Sequence, residues 1–245
     1  MPKSLLILLL SAAVITPANG LAQGFATDRF QTAGGDLAIT LIGHGTLVFA
    51  FGPTVIHVDP WTQLADYKTL PKADIVLITH EHRDHLDLAA LDQIRKDGTV
   101  VLASASCRDA LPGATIMQNG DKQTVKGIAI EAVPAYNLVH MRGPGQPYHP
   151  KGNGNGYVIG FADKRVYVAG DTENIPEMKA LTGIDVAFLP MNLPYTMTPD
   201  MVADAARSLK PKVLYPYHFG DTDTSLLPGL LKTETGIEVR IRNLK

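Results

Sequence analysis

Cys107 is the only cysteine in the sequence. No disulfide can form within the chain, and no cysteine-rich metal site can be built from it. Tryptophan is as scarce, and aromatic residues make up only 7%. Neither sign of charge dominates, since 22 Lys and Arg face 24 Asp and Glu for a formal net charge of −2. There is no basic run, so the footprint of a nucleic-acid-binding protein is missing. Repeats, low-complexity tracts and linker-like breaks are also absent. What remains is ordinary globular composition, 45% hydrophobic over 245 residues, enough for one domain with a large core.

One hydrophobic run stands apart from this pattern, and it is too short for a stable transmembrane helix. Leu5–Ile15 follows the positive start Met1-Pro2-Lys3, and Pro17–Gln23 offers small residues for cleavage after Gly20 or Ala22. These are the parts of an export signal. The expected organisation is a signal peptide over residues 1–22 and one domain over 23–245. The protein is then exported, to the periplasm if the source is Gram-negative, with a native N-terminus near Leu21 or Gln23. An uncleaved anchor is the alternative.

The chemistry concentrates in Thr79-His80-Glu81-His82-Arg83-Asp84-His85-Leu86-Asp87. The apolar run Ala73–Ile78 before it reads as a buried strand. After it, leucines at helical spacing follow Asp87, which is placed as an N-cap. Three imidazoles and a carboxylate on one tight strand-to-helix loop are the ligand types of zinc and related divalent ions. His80 and His82 can serve one ion, and Asp84 and His85 a second.

This His-x-His-x-Asp-His pattern resembles the metallo-β-lactamase superfamily of metal-dependent hydrolases. The resemblance runs from about Leu37 to His218. It implies an α/β fold, the four-layer αβ/βα sandwich. Further acids and a histidine follow apolar strands, at Asp59, Asp171 and His218. If those strand ends share one edge, their side chains converge. In the family pattern, His80, His82 and a third histidine hold the first metal. Asp84, His85 and His218 hold the second, and Asp171 bridges the two. Asp59 is expected to support the metal loop from behind, and His44, in a glycine turn, to contact a ligand or substrate. His57, in mid-strand, reads as structural, and Cys107 as a small buried hydrophobe.

The third histidine is ambiguous. Asn137 stands near the strand end where many relatives carry it, and His140 and His149 follow. The tract Pro134–Tyr157, with His149-Pro150-Lys151-Gly152, resembles the ascorbate-phosphate lactonase-like branch, which favours His149. Leu138–Gly156 reads as a long glycine-rich substrate loop, in which Arg142, Tyr148 or Lys151 could hold an anionic group.

The expected cofactor is a pair of divalent ions, zinc foremost, with manganese or iron as alternatives. Such a pair acidifies a bridging water for attack on an ester, lactone, amide or phosphodiester bond of a small-molecule substrate. Asp84 and His85 are the candidate catalytic pair. Di-iron oxygen-reducing relatives place a glutamate where His82 stands, so His82 favours hydrolysis. The remaining alternative is an exported metal-binding protein of the same fold without catalysis.

Overall fold

The computed structural model describes residues 24–245, so the expected signal peptide lies outside the described residues. Seven strands build the first sheet in chain order: β1 (Ala26–Thr32), β2 (Gly35–Gly43), β3 (Thr46–Phe51), β4 (Thr54–Val58), β5 (Ile75–Ile78), β6 (Val100–Ala103) and β7 (Thr115–Ile116). The chain continues through β8 (Lys122–Val125), β9 (Ile128–Ala135), the short ribbon β10 (Met141–Gly143) and β11 (Gln146–Pro147), then β12 (Gly154–Phe161), β13 (Lys164–Val168), β14 (Val186–Pro190), β15 (Val213–Tyr217) and β16 (Glu238–Val239). The second seven-stranded sheet has the order β16-β15-β14-β13-β12-β9-β8. Four α-helices, α1 (Leu88–Ile94), α2 (Pro176–Lys179), α3 (Pro199–Leu209) and α4 (Leu226–Leu230), and one 3-10 turn at Ala105–Cys107 complete the described residues.

Strand periodicity produces the layers. Alternate residues of the first sheet, including Leu37, Ile39, Phe49, Ile56 and Leu77, face alternate residues of the second, including Ile130, Ile159, Val168, Phe188 and Tyr215, in one buried cluster. The other parity faces helices. Val48, Val76, Ile78 and Val101 pack with Ala90, Leu91 and Ile94 of α1. Tyr167, Ala187, Leu189 and Leu214 pack with Met178 of α2 and Val202, Ala206 and Leu209 of α3. Strands β5, β14 and β15 are thus buried on both faces, which is why they read as continuous apolar runs. The result is helix, sheet, sheet, helix, the αβ/βα sandwich expected from the motif.

Each sheet is antiparallel on one side and parallel on the other, with β4, β5 and β6 parallel in the first and β13, β14 and β15 in the second. Parallel strands point their carboxyl ends the same way, and ligands collect beyond such ends. Asp59, the His80 loop, Asp171 and His218 lie there. The sheets are stitched at this edge by Asn155 N–H donating to Thr79 O at 2.9 Å and Tyr157 Oη–H to Ile78 O at 2.8 Å. Gly170 allows a close approach here: its φ is +65°, and a Cβ there would meet Asn155 O at 2.7 Å and Thr79 Cβ, at the edge of the other sheet, at 3.2 Å.

Asp87 takes the cap position expected of it, and the other helix ends are set by their own local residues. Asp87 caps α1 through Ala89 N–H and Ala90 N–H, and Thr198 caps α3 through Met201 N–H, with Pro199 in the first turn. Asn174 precedes α2 without capping it. Pro176 fixes the first turn one residue later, Ile175 takes the cap position, and Asn174 donates to Asp204 instead. The lead-in before β2 is itself an edge strand, β1, paired along its length with β2. Cys107 is buried, and burial pushes its thiol up to about 11, an inert state.

His57 is fully buried in β4, and its Nε2–H donates to Pro71 O at 2.9 Å. Its Nδ1 has no partner among the described residues, so a second proton would sit unpaired in the core. Burial pushes its pKa down to about 4 against the opposing Pro71 carbonyl. The folded pKa lies below the unfolded value of about 6.5. The stability it contributes is therefore complete above about pH 6.5 and lost as the pH falls toward 4, in total about 3 kcal/mol. His57→Leu should flatten this part of the acid limb in denaturant titrations between those pH values. Parallel stability curves for the two proteins would rule His57 out as its source.

Candidate metal centre

Asp59 organises the histidine loop from beneath. It is fully buried, with φ of +44°, and accepts Thr79 N–H at 2.8 Å, Thr79 Oγ1–H at 2.6 Å and His85 Nδ1–H at 2.7 Å. With Nδ1–H held by Asp59, His85 turns its Nε2 into the site. His80 is fixed in the same way, its Nδ1–H reaching Thr79 Oγ1 at 3.0 Å. His149 donates Nδ1–H to Asn137 Oδ1 at 2.7 Å. Three imidazoles thus spend one nitrogen on the protein and aim the other inward, the tautomer control that metal ligands need.

The inward atoms form two groups joined by a third. His80, His82 and His149 offer donor atoms within 4.8 Å of one another, as do His44, Asp84, His85 and His218, and His80 and His85 meet Asp171 in the third. In the second group His85 Nε2 and His218 Nε2 are 3.1 Å apart, Asp84 Oδ2 and His218 Nε2 3.4 Å, and Asp84 Oδ2 and His85 Nε2 3.6 Å. Ligands about 2.0–2.1 Å from a tetrahedral zinc stand roughly 3.3 Å apart, so these spacings fit one. Asp171 Oδ2 lies 3.3 Å from His149 Nε2 and 3.5 Å from His218 Nε2, within reach of both groups. Its Oδ1 is buried with no hydrogen-bond partner among the described residues. An orphaned carboxylate oxygen amid converging imidazoles is what a divalent ion would satisfy.

The electrostatics are consistent with this donor set. Burial, with His85 nearby, pushes the His80 imidazole well below its ordinary value and keeps it neutral, the ligating form. Burial opposes ionisation of Asp171, but His218, His85 and His149 hold its carboxyl well below the usual range. Asp84 is likewise disfavoured by burial and held down by hydrogen bonds from His218 and His44. For His85 burial favours the neutral ring, yet Asp171 and Asp59 raise it to about 10. That proton must leave when a cation binds.

The other expected residues separate clearly. His44 sits at φ +49° in its glycine turn, 2.9 Å from Asp84 Oδ2, with its ring tilted 36° against that of His218 at 3.6 Å between centroids. It contacts a candidate ligand, as expected of it. His140 lies outside the donor groups, its Nδ1 2.9 Å from Glu173 Oε1 but off the hydrogen-bond line. Lys151 is tied to Glu177 at 2.7 Å. Arg142 and Tyr148 line an open cleft of about 590 Å³ with Arg83, Asp84, Asp171 and Tyr195. Of the candidate catalytic pair, only Asp84 borders this cleft, since His85 is fully buried.

Glu173 escaped the sequence reading, and Asn137 takes a different part from the one its strand-end place suggested. Glu173, fully buried two residues beyond Asp171, accepts Leu138 N–H, Val139 N–H and His140 N–H at 2.7 Å each. Asn137 is hydrogen-bonded to His149 rather than aimed at the donor groups. The available signal was Glu173's place after a strand-end Asp, a position that already marks the site.

Comparison with known proteins agrees with the geometry. Residues 38–218 match the beta-lactamase superfamily domain. A UPF0173 metal-dependent hydrolase of Koribacter versatilis is 33% identical over 198 residues, 75% of this chain and 84% of that protein. One from Pelotomaculum thermopropionicum is 28% identical over 84% of this chain and 96% of its own length. Among solved structures, a Parabacteroides distasonis protein assigned as a metal-dependent hydrolase superposes with TM-score 0.86 at 49% identity, over 90% of this chain and all of that one. Igni18, a metallo hydrolase of Ignicoccus hospitalis, gives 0.70 at 26% identity, over 85% of this chain and 95% of its own. The chain belongs to the beta-lactamase superfamily, within the family of the UPF0173 metal-dependent hydrolases.

Proposed function

We propose that the protein hydrolyses an ester, lactone, amide or phosphodiester bond of a small substrate using two divalent ions, zinc foremost. The observation that carries this reading is the pair of donor groups joined at Asp171 on the floor of an open cleft. His80, His82 and His149 would hold the first ion, and Asp84, His85 and His218 the second, with Asp171 shared. Bound there, the ions supply Lewis acidity and a water acidified to about pKa 7. Asp84 and Asp171 both meet donor groups and border the cleft, but Asp84 is 33% exposed and Asp171 only 5%, so Asp84 is the one placed to take up the proton of the attacking water. Arg142, which donates to Tyr148 O at 3.1 Å and stands 5.6 Å over the Tyr148 ring, offers its remaining donors to an anionic part of the substrate.

The cleft also favours catalysis over the rival reading as a metal-binding protein, because a storage or structural site needs no open approach. Metal analysis of purified protein should give close to two equivalents per chain. A screen of esters, lactones and phosphodiesters should then find turnover that a chelator abolishes and divalent metal restores. Arg142→Ala should raise KM for an anionic substrate about tenfold while leaving kcat near the wild-type value, the sign of lost uniform binding. Two bound metals with no turnover across the screen would favour the rival, and activity surviving metal removal would overturn the proposal.

A further inference from the structure

The side-chain amide of Asn137 makes four hydrogen bonds, and together they fix which end is which. Its Oδ1 receives His149 N–H at 2.8 Å and His149 Nδ1–H at 2.7 Å. Its Nδ2 donates to Glu173 Oε1 at 3.0 Å and to Tyr195 O at 2.9 Å. A flipped amide would set a donor against the His149 backbone donor and an oxygen against two acceptors, so this orientation alone satisfies the network. Glu173 holds the other end. It is fully buried, and three successive N–H groups at Leu138, Val139 and His140 point at its carboxylate. Such a row of amides is a concave anion site, here filled by a side chain of the same protein.

We infer that Glu173 and Asn137 are positioning residues that set the tautomer of His149 and hold its Nε2 toward the first metal position. The inference rests on the reading of His149 as a ligand. The path runs through hydrogen bonds only. The Glu173 carboxylate orients the Asn137 amide, and the Asn137 oxygen holds the His149 proton on Nδ1. That leaves the Nε2 lone pair free 3.3 Å from Asp171 Oδ2. The same carboxylate anchors the start of the segment carrying Arg142 and Tyr148, so one buried charge fixes both a metal ligand and the cleft wall. Asn137 cannot itself complete the first site, because both ends of its amide are fully committed.

The test reads the imidazole directly, in chelator-treated protein labelled with 15N-histidine. Long-range 1H–15N correlations should show wild-type His149 as a single Nδ1–H tautomer. Asn137→Ala should give a tautomer mixture and weaken first-site zinc affinity, measured by competition with a chromophoric chelator, by about 10–100-fold. Glu173→Gln keeps the shape and should fall between the two, since the amide oxygen still accepts part of the N–H row. If Asn137→Ala does not fold, Glu173→Gln carries the test. Wild-type tautomer and wild-type zinc affinity in whichever variant is read would overturn the inference. Neither readout needs turnover. A failed substrate screen would therefore count against the hydrolase reading alone, and unshifted tautomers against this one alone.

Discussion

Asp171→Ala should strip metal from both positions and lower turnover roughly a thousandfold, about 4 kcal/mol of transition-state stabilisation. The carboxylate approaches His149 from one group and His218 from the other within 3.5 Å. It is also a buried negative charge among imidazoles, and burial would neutralise it were His218 and His85 not beside it. Without it, cations held by the two donor groups would share no anion, and their repulsion in a buried site would cost affinity at each. Asp171→Asn separates charge from shape, because it keeps the volume and one oxygen. It should bind one equivalent weakly and remain inactive. Metal content and kcat measured on the same preparation decide the matter. Two equivalents retained in Asp171→Ala would remove the residue from the shared role and leave each ion with its own ligands only.

Much of this architecture was legible because the decisive signals are local. The His80–His85 cluster, the apolar strand before it and the Asp87 cap lie in one short stretch, and each follows from residue type and spacing. The strand-end positions of Asp59, Asp171 and His218 were also readable, since doubly buried strands announce themselves as apolar runs. What escaped depends on partners distant in sequence. Strand β1 carries one large apolar residue, Phe30, among polar neighbours, and its stability comes from the ladder to β2. Helix α4 contains Pro228 and Gly229, which argue against a helix until packing overrides them. The ribbon of β10 and β11 hid inside a glycine-rich loop because its strands are too short to show a period. Glu173 reaches the amides of residues 138–140 across more than thirty positions. No spacing rule links an acid to backbone groups that only the fold brings near.

That limit matters most at the third histidine, where the sequence favoured His149 without deciding. The structure now gives each candidate a different environment and hence a different expected loss. His149 is held at both backbone groups, its N–H on Asn137 Oδ1 and its O accepting Asn137 N–H at 2.9 Å. Pro150 restricts it to extended conformations, and its ring meets those of His80 and His82 at about 5 Å between centroids. Little conformational entropy is then left to lose on binding an ion. His140 lies over Glu173, with its N–H on Oε1 and its ring outside the donor groups. His149→Ala should lose most first-site metal and lower turnover by roughly 10²–10³-fold, about 3–4 kcal/mol. His140→Ala should keep both metals and shift mainly KM, through the cleft segment it begins. Metal content and steady-state kinetics of the two variants under one set of conditions make the comparison. Metal lost from His140→Ala and retained in His149→Ala would reverse the assignment. Retention in both would leave water to complete the first site, because the Asn137 amide has no free atom to offer.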